Sequence, residues 1–348
     1  SYGNQGHRFI SMGDDGTNAT IAISAYDGGL LIWRNNIAFS SASSSSGESS
    51  SSVTYKMVVG ADRDDDNGGL QTGSVYVYDL DGSNEVKITA SDAQQGDQFG
   101  RDVAIGNDKI VVGAYKEDTR GDAAGKAYIY DLDGTNEVIL CPTDLSANDN
   151  FGIAVAVGNN KVAVGAEEQN QGAVYVYDLD GTNEVKVTAS DGSTYFGGSV
   201  VIGHNKLAVG SEGNGGTGAV YVYDLDGTNE VKITGSDSTP NARFGSYEQS
   251  LAIGENKIVV GASQQTGPGG VDSGQNNYGA VYVYDLDGTN EVKITASDAG
   301  TEHDYFGWSV AVGESKIAVG ARFQDSAASQ GGKVYLYDLD GSNEIQII

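Results

Sequence analysis

The stretch AVYVYDLDGTNEVKVTASD, residues 173–191, recurs with small changes along this chain of 348 residues. Its centre, Tyr-Asp-Leu-Asp-Gly, occurs six times, and successive copies start 46 to 61 residues apart. This period fits a four-stranded propeller blade better than an ankyrin, tetratricopeptide or leucine-rich unit. The sequence therefore predicts a tandem array. The copies begin at Tyr78, Tyr130, Tyr177, Tyr223, Tyr284 and Tyr337.

One repeat reads as four short strands joined by turns. After Phe99-Gly100 come DVAIG, a turn at Asn107-Asp108, and KIVVGA ending at Ala114. A polar loop leads to KAYIYD, and an Asp-Gly turn at Asp133-Gly134 leads to EVILC. Because Asp-Gly is a preferred two-residue hairpin turn, strands three and four are predicted to form a second hairpin. Each repeat is therefore a four-stranded antiparallel meander.

Both faces of these strands carry apolar or aromatic side chains, as in Val75-Tyr76-Val77-Tyr78. A sheet with one face in water alternates apolar and polar residues, so both faces here must be covered. Radial packing of blades in a β-propeller covers them and protects the sheet edges. We predict an all-β chain in a single propeller domain of seven blades, with six as the alternative. The approximate blades are 1–38, 39–92, 93–144, 145–191, 192–237, 238–298 and 299–348.

The charge of the chain restricts its partners. It carries 48 acidic against 20 basic residues, a net charge of −28. Such a surface repels nucleic acid and anionic lipid, so neither is expected as a partner. No apolar run approaches the roughly 20 residues that span a bilayer, so no membrane insertion is expected.

A Phe-Gly pair opens most repeats, and a Gly-Ala or Gly-Ser pair ends their second strand. This pattern resembles the FG-GAP repeat family, the integrin-α-type β-propeller, although the proline of the family's GAP signature is missing from every copy. The resemblance implies an extracellular, cell-surface or virion-surface location, since similar arrays occur in bacterial surface proteins and marine phage virions. The pairs are Phe99-Gly100 with Gly113-Ala114, Phe151-Gly152 with Gly165-Ala166, Phe196-Gly197 with Gly210-Ser211, Phe244-Gly245 with Gly261-Ala262, and Phe306-Gly307 with Gly320-Ala321.

The two ends of the predicted strands differ in sequence. Turns between strands one and two, such as 106–109, and the DLDGTNE turns are nearly identical between copies; we name their side of the disc the uniform face. Connections from strand two to three and from strand four to one vary, as in 115–125 and 263–279, and form the variable face. Binding residues usually lie on variable loops of a rigid scaffold. Candidate ligand-binding residues are Tyr115, Arg120, Tyr195, Arg243, Tyr278, Tyr305 and Arg322, with Lys116, His303 and Phe323 nearby in sequence.

The DLDGTNE turns also supply oxygen ligands of the kind that Ca²⁺ prefers. The same residues suit a hairpin whose carboxylates accept hydrogen bonds from backbone amides, and both interpretations stay open. The family resemblance would instead place calcium between strands one and two, where this chain has short turns such as Asn159-Asn160. Calcium is the one cofactor considered. Its candidate ligands are Asp79, Asp81, Asp131, Asp133, Asp178, Asp180, Asp224, Asp226, Asp285, Asp287, Asp338 and Asp340.

No motif of a hydrolase, metalloprotease or phosphate-binding enzyme occurs, so an enzyme is not expected. The leading hypothesis is adhesion to, or recognition of, a protein or glycan on a cell or particle surface. One alternative is a structural decoration or spacer protein of a virion or cell surface, and another is a propeller attached to a hydrolase. The tripeptide Arg120-Gly121-Asp122, which some integrins bind, is too short to decide between these functions.

Overall fold

The computed structural model describes residues 8–11, 23–25, 56–65, 69–213, 216–246, 249–266, 278–298, 304–313, 315–322 and 332–347. These residues form 25 β-strands in six antiparallel sheets, which confirms the all-β class. No helix able to span a membrane occurs in this part of the chain.

The sheets follow the chain, and we number them one to six in sequence order. The first sheet contains β1 (Arg8–Ser11), β2 (Ile23–Ala25), β3 (Lys56–Ala61), β4 (Ser74–Asp79) and β5 (Val86–Ile88). The second contains β6 (Val103–Gly106), β7 (Lys109–Ala114), β8 (Lys126–Asp131) and β9 (Val138–Leu140), and the third β10 (Val155–Gly158), β11 (Lys161–Ala166), β12 (Ala173–Asp178) and β13 (Val185–Val187). The fourth contains β14 (Phe196–Gly203), β15 (Lys206–Ser211), β16 (Ala219–Asp224) and β17 (Val231–Ile233). The fifth contains β18 (Leu251–Gly254), β19 (Lys257–Ala262), β20 (Ala280–Asp285) and β21 (Val292–Ile294), and the sixth β22 (Phe306–Val312), β23 (Lys316–Ala321), β24 (Lys333–Asp338) and β25 (Ile345–Ile347).

The strands are buried on both faces because each internal sheet lies between two others. In β12, Tyr175 and Tyr177 pack in the apolar cluster shared with the second sheet. Val174 and Val176 of the same strand pack in the cluster shared with the fourth sheet. Alternate side chains therefore fill two different junctions, which is the blade packing that the two-sided apolar strands predict.

The Phe-Gly and Gly-Ala pairs meet at these junctions. A Cβ added to Gly165 would lie 2.0 Å from the carbonyl oxygen of Gly197 in the following sheet. The amide of Gly152, which opens the third sheet, donates to the carbonyl of Gly165 at 2.9 Å. Phe151 is fully buried and packs edge-on against the Tyr175 ring, with centroids 5.4 Å apart. Glycine recurs at these positions because neighbouring backbones touch there.

The Asp-Gly hairpins between strands three and four form as predicted. In the second sheet the amide of Asp131 donates to the carbonyl of Thr135, and the amide of Gly134 donates back to Asp131, both at 2.9 Å. Gly134 has φ +80°, a left-handed conformation that glycine adopts without strain. The turn closes the hairpin and directs its polar side chains outward.

The seven predicted blades are not confirmed, since the described residues form six sheets, the alternative count. Residues 1–38 were assigned a blade of their own. Instead, β1 pairs with β3, with Arg8 opposite Ala61 and Ser11 opposite Val58. The repeat starting at β3 has no Phe-Gly strand of its own, and β1 takes the strand-one position beside it. The remainder of the predicted N-terminal blade lies outside the described residues.

Substitution of Gly165 by Ala is expected to destabilise the fold by about 1 to 3 kcal/mol or more, because the new methyl group would overlap a backbone oxygen that cannot rotate away. Gly320→Ala is a matched control at the equivalent position of the sixth sheet. There the nearest atom to an added Cβ is the rotatable Ser309 Oγ, at 2.4 Å. Urea unfolding measures both variants, and an equal loss of stability would contradict the backbone-contact explanation.

Candidate functional site

On the uniform face, the aspartate carboxylates of each DLDGTNE turn bind donors from the same sheet. In the fourth sheet, Asp224 Oδ1 lies 2.6 Å from Lys206 Nζ, and its Oδ2 accepts a hydrogen bond from Asn229 Nδ2 at 2.6 Å. Asp226 Oδ1 accepts from the amide and the hydroxyl of Thr228, at 3.0 and 2.6 Å. The hydrogen bond from Lys206 lowers the pKa of Asp224, and that from the Thr228 hydroxyl lowers the pKa of Asp226.

This arrangement repeats in all six turns. The first aspartate pairs with the lysine that opens strand two, and the second accepts from the Ser or Thr two residues later. Every predicted calcium ligand is thus engaged by donors of its own sheet, and no group of three or more His, Cys, Asp or Glu suited to a metal occurs among the described residues. Calcium binding there stays a prediction. The ion pairs are Lys56–Asp79, Lys109–Asp131, Lys161–Asp178, Lys206–Asp224, Lys257–Asp285 and Lys316–Asp338.

A second repeated ion pair links neighbouring sheets. Asp144 follows the second sheet and accepts a hydrogen bond at 2.8 Å from the buried Tyr175 hydroxyl of the third. Lys186 of the third sheet lies 2.6 Å from the other carboxylate oxygen. Burial and the Asp144 carboxylate raise the pKa of Tyr175. Burial opposes ionisation of Asp144, but Lys186 and Tyr175 hold its pKa below the ordinary value.

The lysine of this pair changes position in two sheets. The central residue of strand four is Ile139 in the second sheet and Gln346 in the sixth, where the third, fourth and fifth have lysine. In those two sheets a lysine opens strand three instead: Lys126 reaches Asp92 at 2.6 Å, and Lys333 reaches Asp298 at 2.5 Å. Each aspartate thus keeps one ammonium partner.

On the variable face, five repeats hold one residue in a left-handed conformation. The residue before each Phe-Gly pair has φ between 53° and 56°, although none is glycine. The adjacent Phe fixes this geometry: the amide of Phe151 donates to the carbonyl of Ala124 in the preceding sheet at 3.0 Å. Tyr195 is 42% exposed. The residues at this display position are Gln98, Asn150, Tyr195, Arg243 and Tyr305.

Three predicted ligand-binding residues, Tyr195, Arg243 and Tyr305, thus occupy equivalent positions. Tyr115 and Arg322 share another, directly after the Gly-Ala pair. Gln98 and Asn150 were not among the predicted residues, although their position before a Phe-Gly pair could have indicated them.

Cationic and aromatic side chains meet at two places on this face. The Tyr115 ring has Arg101 Cζ 5.4 Å and Lys116 Nζ 4.7 Å from its centroid. Arg322 Cζ lies 4.2 Å from the Trp308 ring, and Tyr305 packs edge-on against the same ring at 6.0 Å. Arg101 and Trp308, which both follow a Phe-Gly pair, were not among the predicted residues.

The remaining candidates lie apart from these groups. Arg243 Nη1 lies 3.3 Å from Glu212 of the preceding sheet. Arg120 and Asp122 are exposed in a turn that a hydrogen bond from the Gly121 amide to Asp118 closes. Tyr278 is half-buried and its carbonyl accepts from the Phe306 amide. His303 and Phe323 lie outside the described residues.

One small cavity opens among the connections of the variable face. A cavity of about 150 Å³ between the third and fourth sheets is lined mainly by polar residues, including Gln169, Gln171, Lys186 and Ser193. Ligand pockets usually measure roughly 300 to 1,000 Å³. This cavity could hold one small group, and a larger ligand would contact the open surface.

Asp102 lies directly before β6, the first strand of the second sheet, and its carboxylate contacts the following sheet. Asp102 Oδ2 accepts from the Val155 amide of the following sheet at 2.8 Å, and Oδ1 accepts from the Val103 amide at 3.0 Å. Burial raises its pKa to about 6, although both amides and Arg101 favour the charged form. Ala154 and Ser199 occupy the equivalent positions in the next two sheets.

Asp102→Ser is expected to reduce the pH dependence of stability. A raised pKa means that the folded state keeps a proton that the unfolded state has lost, so Asp102 lowers the free energy of unfolding as pH rises from about 4 to about 6. Thermal melts between pH 4 and 7 should therefore show the wild type losing stability relative to the variant as pH rises. Parallel profiles for the two proteins would contradict the raised pKa.

Comparison with known proteins gives a family for the repeats. The model described as "FG-GAP repeat" matches residues 83–130, 135–177, 182–223, 228–284 and 289–337, together more than half of the chain. Among solved structures, the chain is similar to TolB from Acinetobacter baumannii, with 13% identity and a TM-score of 0.47. That match covers 84% of this chain and 63% of the TolB chain. A search of curated proteins found no match.

Proposed function

Because this chain belongs to the FG-GAP repeat family, we propose that it is a non-enzymatic recognition module whose variable face binds a protein or a glycan. The main observation in support is the display position before each Phe-Gly pair. Five repeats hold this residue in the same left-handed backbone, while its side chain changes from Gln to Asn, Tyr and Arg. A left-handed backbone is uncommon for Tyr and Arg, whereas the Asn residues of the uniform-face turns adopt it readily. A rigid scaffold with variable side chains is the usual design of a binding surface.

The location that fits this proposal is extracellular, on a cell surface or on a virion. The family model supports it, since FG-GAP repeats are typical of extracellular proteins. A partner on a cell or particle surface would meet the variable face, and the uniform face would stay available for attachment. Adhesion is therefore the form of recognition that we propose.

A structural spacer is the second candidate. The six near-identical turns of the uniform face favour it, because a surface of repeated ion pairs suits a stable ring that another subunit carries. In that case the variable side chains would have no ligand. The variants described below separate the two functions.

We also propose that residues 1–38, whose strands β1 and β2 pair with the first sheet, help to close the ring between the first and sixth sheets. In support, Val334 and Leu336 of the sixth sheet are half-buried, whereas the equivalent Val174 and Val176 are at most 1% exposed. In the first sheet, Tyr76 is half-buried, whereas the equivalent Tyr128 is fully buried. Each terminal sheet thus has an apolar face with incomplete cover, and residues packed between the two sheets would bury both faces.

Deletion of residues 1–38 is expected to expose these two apolar faces and to cause aggregation, with a lower melting temperature for any soluble fraction. Size-exclusion chromatography and thermal melts of the shortened chain measure both effects. A soluble monomer with an unchanged melting temperature would show that this segment takes no part in the ring.

Recognition through the display position is tested by Tyr195→Asn and Tyr305→Asn combined. Asn150 holds the same left-handed backbone in the third sheet, so the substitution removes both aromatic rings without adding backbone strain. Flow cytometry of labelled protein on a panel of intact bacterial cells should show binding at least about tenfold weaker than wild type, as expected when central aromatic contacts are removed.

The matched control is Asp180→Asn on the uniform face, where asparagine can still accept from Thr182. This variant should bind cells as the wild type does. Unchanged binding by the double variant, or loss of binding by the control alone, would contradict recognition through the variable face. The second result would favour the spacer.

A further inference from the structure

Lysine in this chain forms ion pairs within the fold. Of its 13 lysines, six open the second strand of a sheet and pair with the DLDGTNE turn, as described above. Six more pair with an aspartate on a strand-to-strand connection. Only Lys116 belongs to neither set. The second set is Lys87–Asp64, Lys126–Asp92, Lys186–Asp144, Lys232–Asp191, Lys293–Asp237 and Lys333–Asp298.

Arginine is distributed differently. All five arginines with described side chains lie on connections of the variable face, and none takes part in the two repeated ion pairs. A guanidinium binds carboxylate and sulfate oxygens through a planar fork of donors and also stacks on aromatic rings, whereas an ammonium acts as a point charge. The chain therefore places its anion-binding side chains on one side of the disc. They are Arg63, Arg101, Arg120, Arg243 and Arg322.

The densest group lies at the start of the second sheet. Arg101 and Lys116 both contact the Tyr115 ring, and Lys116 Nζ also lies 3.3 Å from Asn150 Oδ1 of the following sheet. The side chains of Arg101, Tyr115 and Lys116 are half-buried, so each keeps a surface that a ligand can reach. We name these three residues the cationic tyrosine site.

Acidic groups near this site offset part of its charge. Asp62 is 1% exposed and interacts electrostatically with Arg101 and Arg63. Glu117 is fully buried and pairs with Lys126 at 3.0 Å. These carboxylates lie beneath the surface, whereas the cations are its accessible part. Arg101 and Lys116 are therefore the groups that an anion can reach, on a surface that is otherwise acidic.

The combination of groups indicates a class of ligand. An aromatic ring beside cationic donors can stack on a sugar ring while the cations bind a charged substituent. A nucleic acid has similar groups, but its continuous phosphate charge would be repelled by the rest of this acidic surface. The charge density of a glycan depends on the share of its sugars that are charged, so a glycan can carry fewer charges than a nucleic acid of the same length.

We propose that the cationic tyrosine site binds an acidic glycan through its carboxylate or sulfate groups. This inference rests on the proposed recognition function and names the ligand class of the same face. Arg101 and Lys116 bind the anionic substituent, and Tyr115 packs against the sugar ring.

The test uses the full chain and four immobilised probes: dextran sulfate, polygalacturonate, neutral dextran and a single-stranded DNA oligonucleotide. Biolayer interferometry should show binding to one or both acidic polysaccharides that weakens as salt is raised, with no binding to dextran. Preference between the two acidic probes identifies sulfate or carboxylate as the recognised group.

Arg101→Gln and Lys116→Gln should each weaken this binding at least about tenfold, the loss expected for one charge-assisted hydrogen bond. Lys161→Gln is the matched control: it makes the same charge change on the uniform face, where Lys161 and Asp178 form a partly exposed ion pair. Its affinity should stay within about twofold of wild type, since such pairs contribute little to stability. Thermal melts establish that all three variants are folded.

Three results would overturn the inference: no binding to either acidic probe at low salt, equal binding to DNA and the acidic glycans, or equal weakening by all three variants. The proposed function is tested separately, by the cell-binding experiment with the two display-position tyrosines. If cell binding depends on those tyrosines while no acidic probe binds, recognition stands and the ligand class is wrong.

Discussion

Contact between the backbones of neighbouring blades is the constraint on which the rest of this structure depends. A glycine at the end of strand two faces the carbonyl oxygen of the next Phe-Gly pair so closely that no side chain fits between them. This contact sets the distance between sheets, and that distance lets tyrosine from one sheet and valine from the other fill each junction. The buried phenylalanine and the left-handed residue before it follow from the same contact, because the Phe amide donates to the preceding sheet.

Periodicity in the sequence predicts what lies within one repeat. Strand bounds and the Asp-Gly hairpins depend on contacts between residues close along the chain. Contacts between repeats are harder to predict. The pairing of Asp144 with Tyr175 and Lys186 joins residues more than 30 positions apart, and no local pattern indicates their distance. The pairing of β1 with β3 was not predicted, because residues 12–55 separate the two strands along the chain.

The residues of the candidate site also divide into those that the sequence could predict and those that only the structure places. Tyr195, Arg243 and Tyr305 could be chosen from sequence because they precede Phe-Gly pairs on connections that vary. Arg101 and Trp308 follow the pair, where the sequence reads as the start of a strand, and only the structure places them beside Tyr115 and Arg322. For the twelve turn aspartates, composition suggested a cation, and the structure adds donors from the same repeat: lysine and asparagine engage the first aspartate of each turn, and serine or threonine the second. Calcium binding at these turns stays a prediction.

In two repeats the lysine of the inter-sheet ion pair lies on strand three instead of strand four. This has a consequence for how repeats can be gained or lost. Lys126 and Ile139 lie in one repeat, as do Lys333 and Gln346, so each compensating pair is inherited together when a whole repeat is duplicated or lost. In the second to sixth sheets the aspartate that receives the lysine comes from the preceding repeat and occupies the same position there, whereas in the first sheet Lys87 pairs with Asp64 of its own sheet. Any internal repeat can therefore follow any other without a mismatched charge at the junction. The same Asp–Lys contact therefore joins each pair of neighbouring repeats. Recombination between repeats can replace the side chains at the display position while this contact is kept.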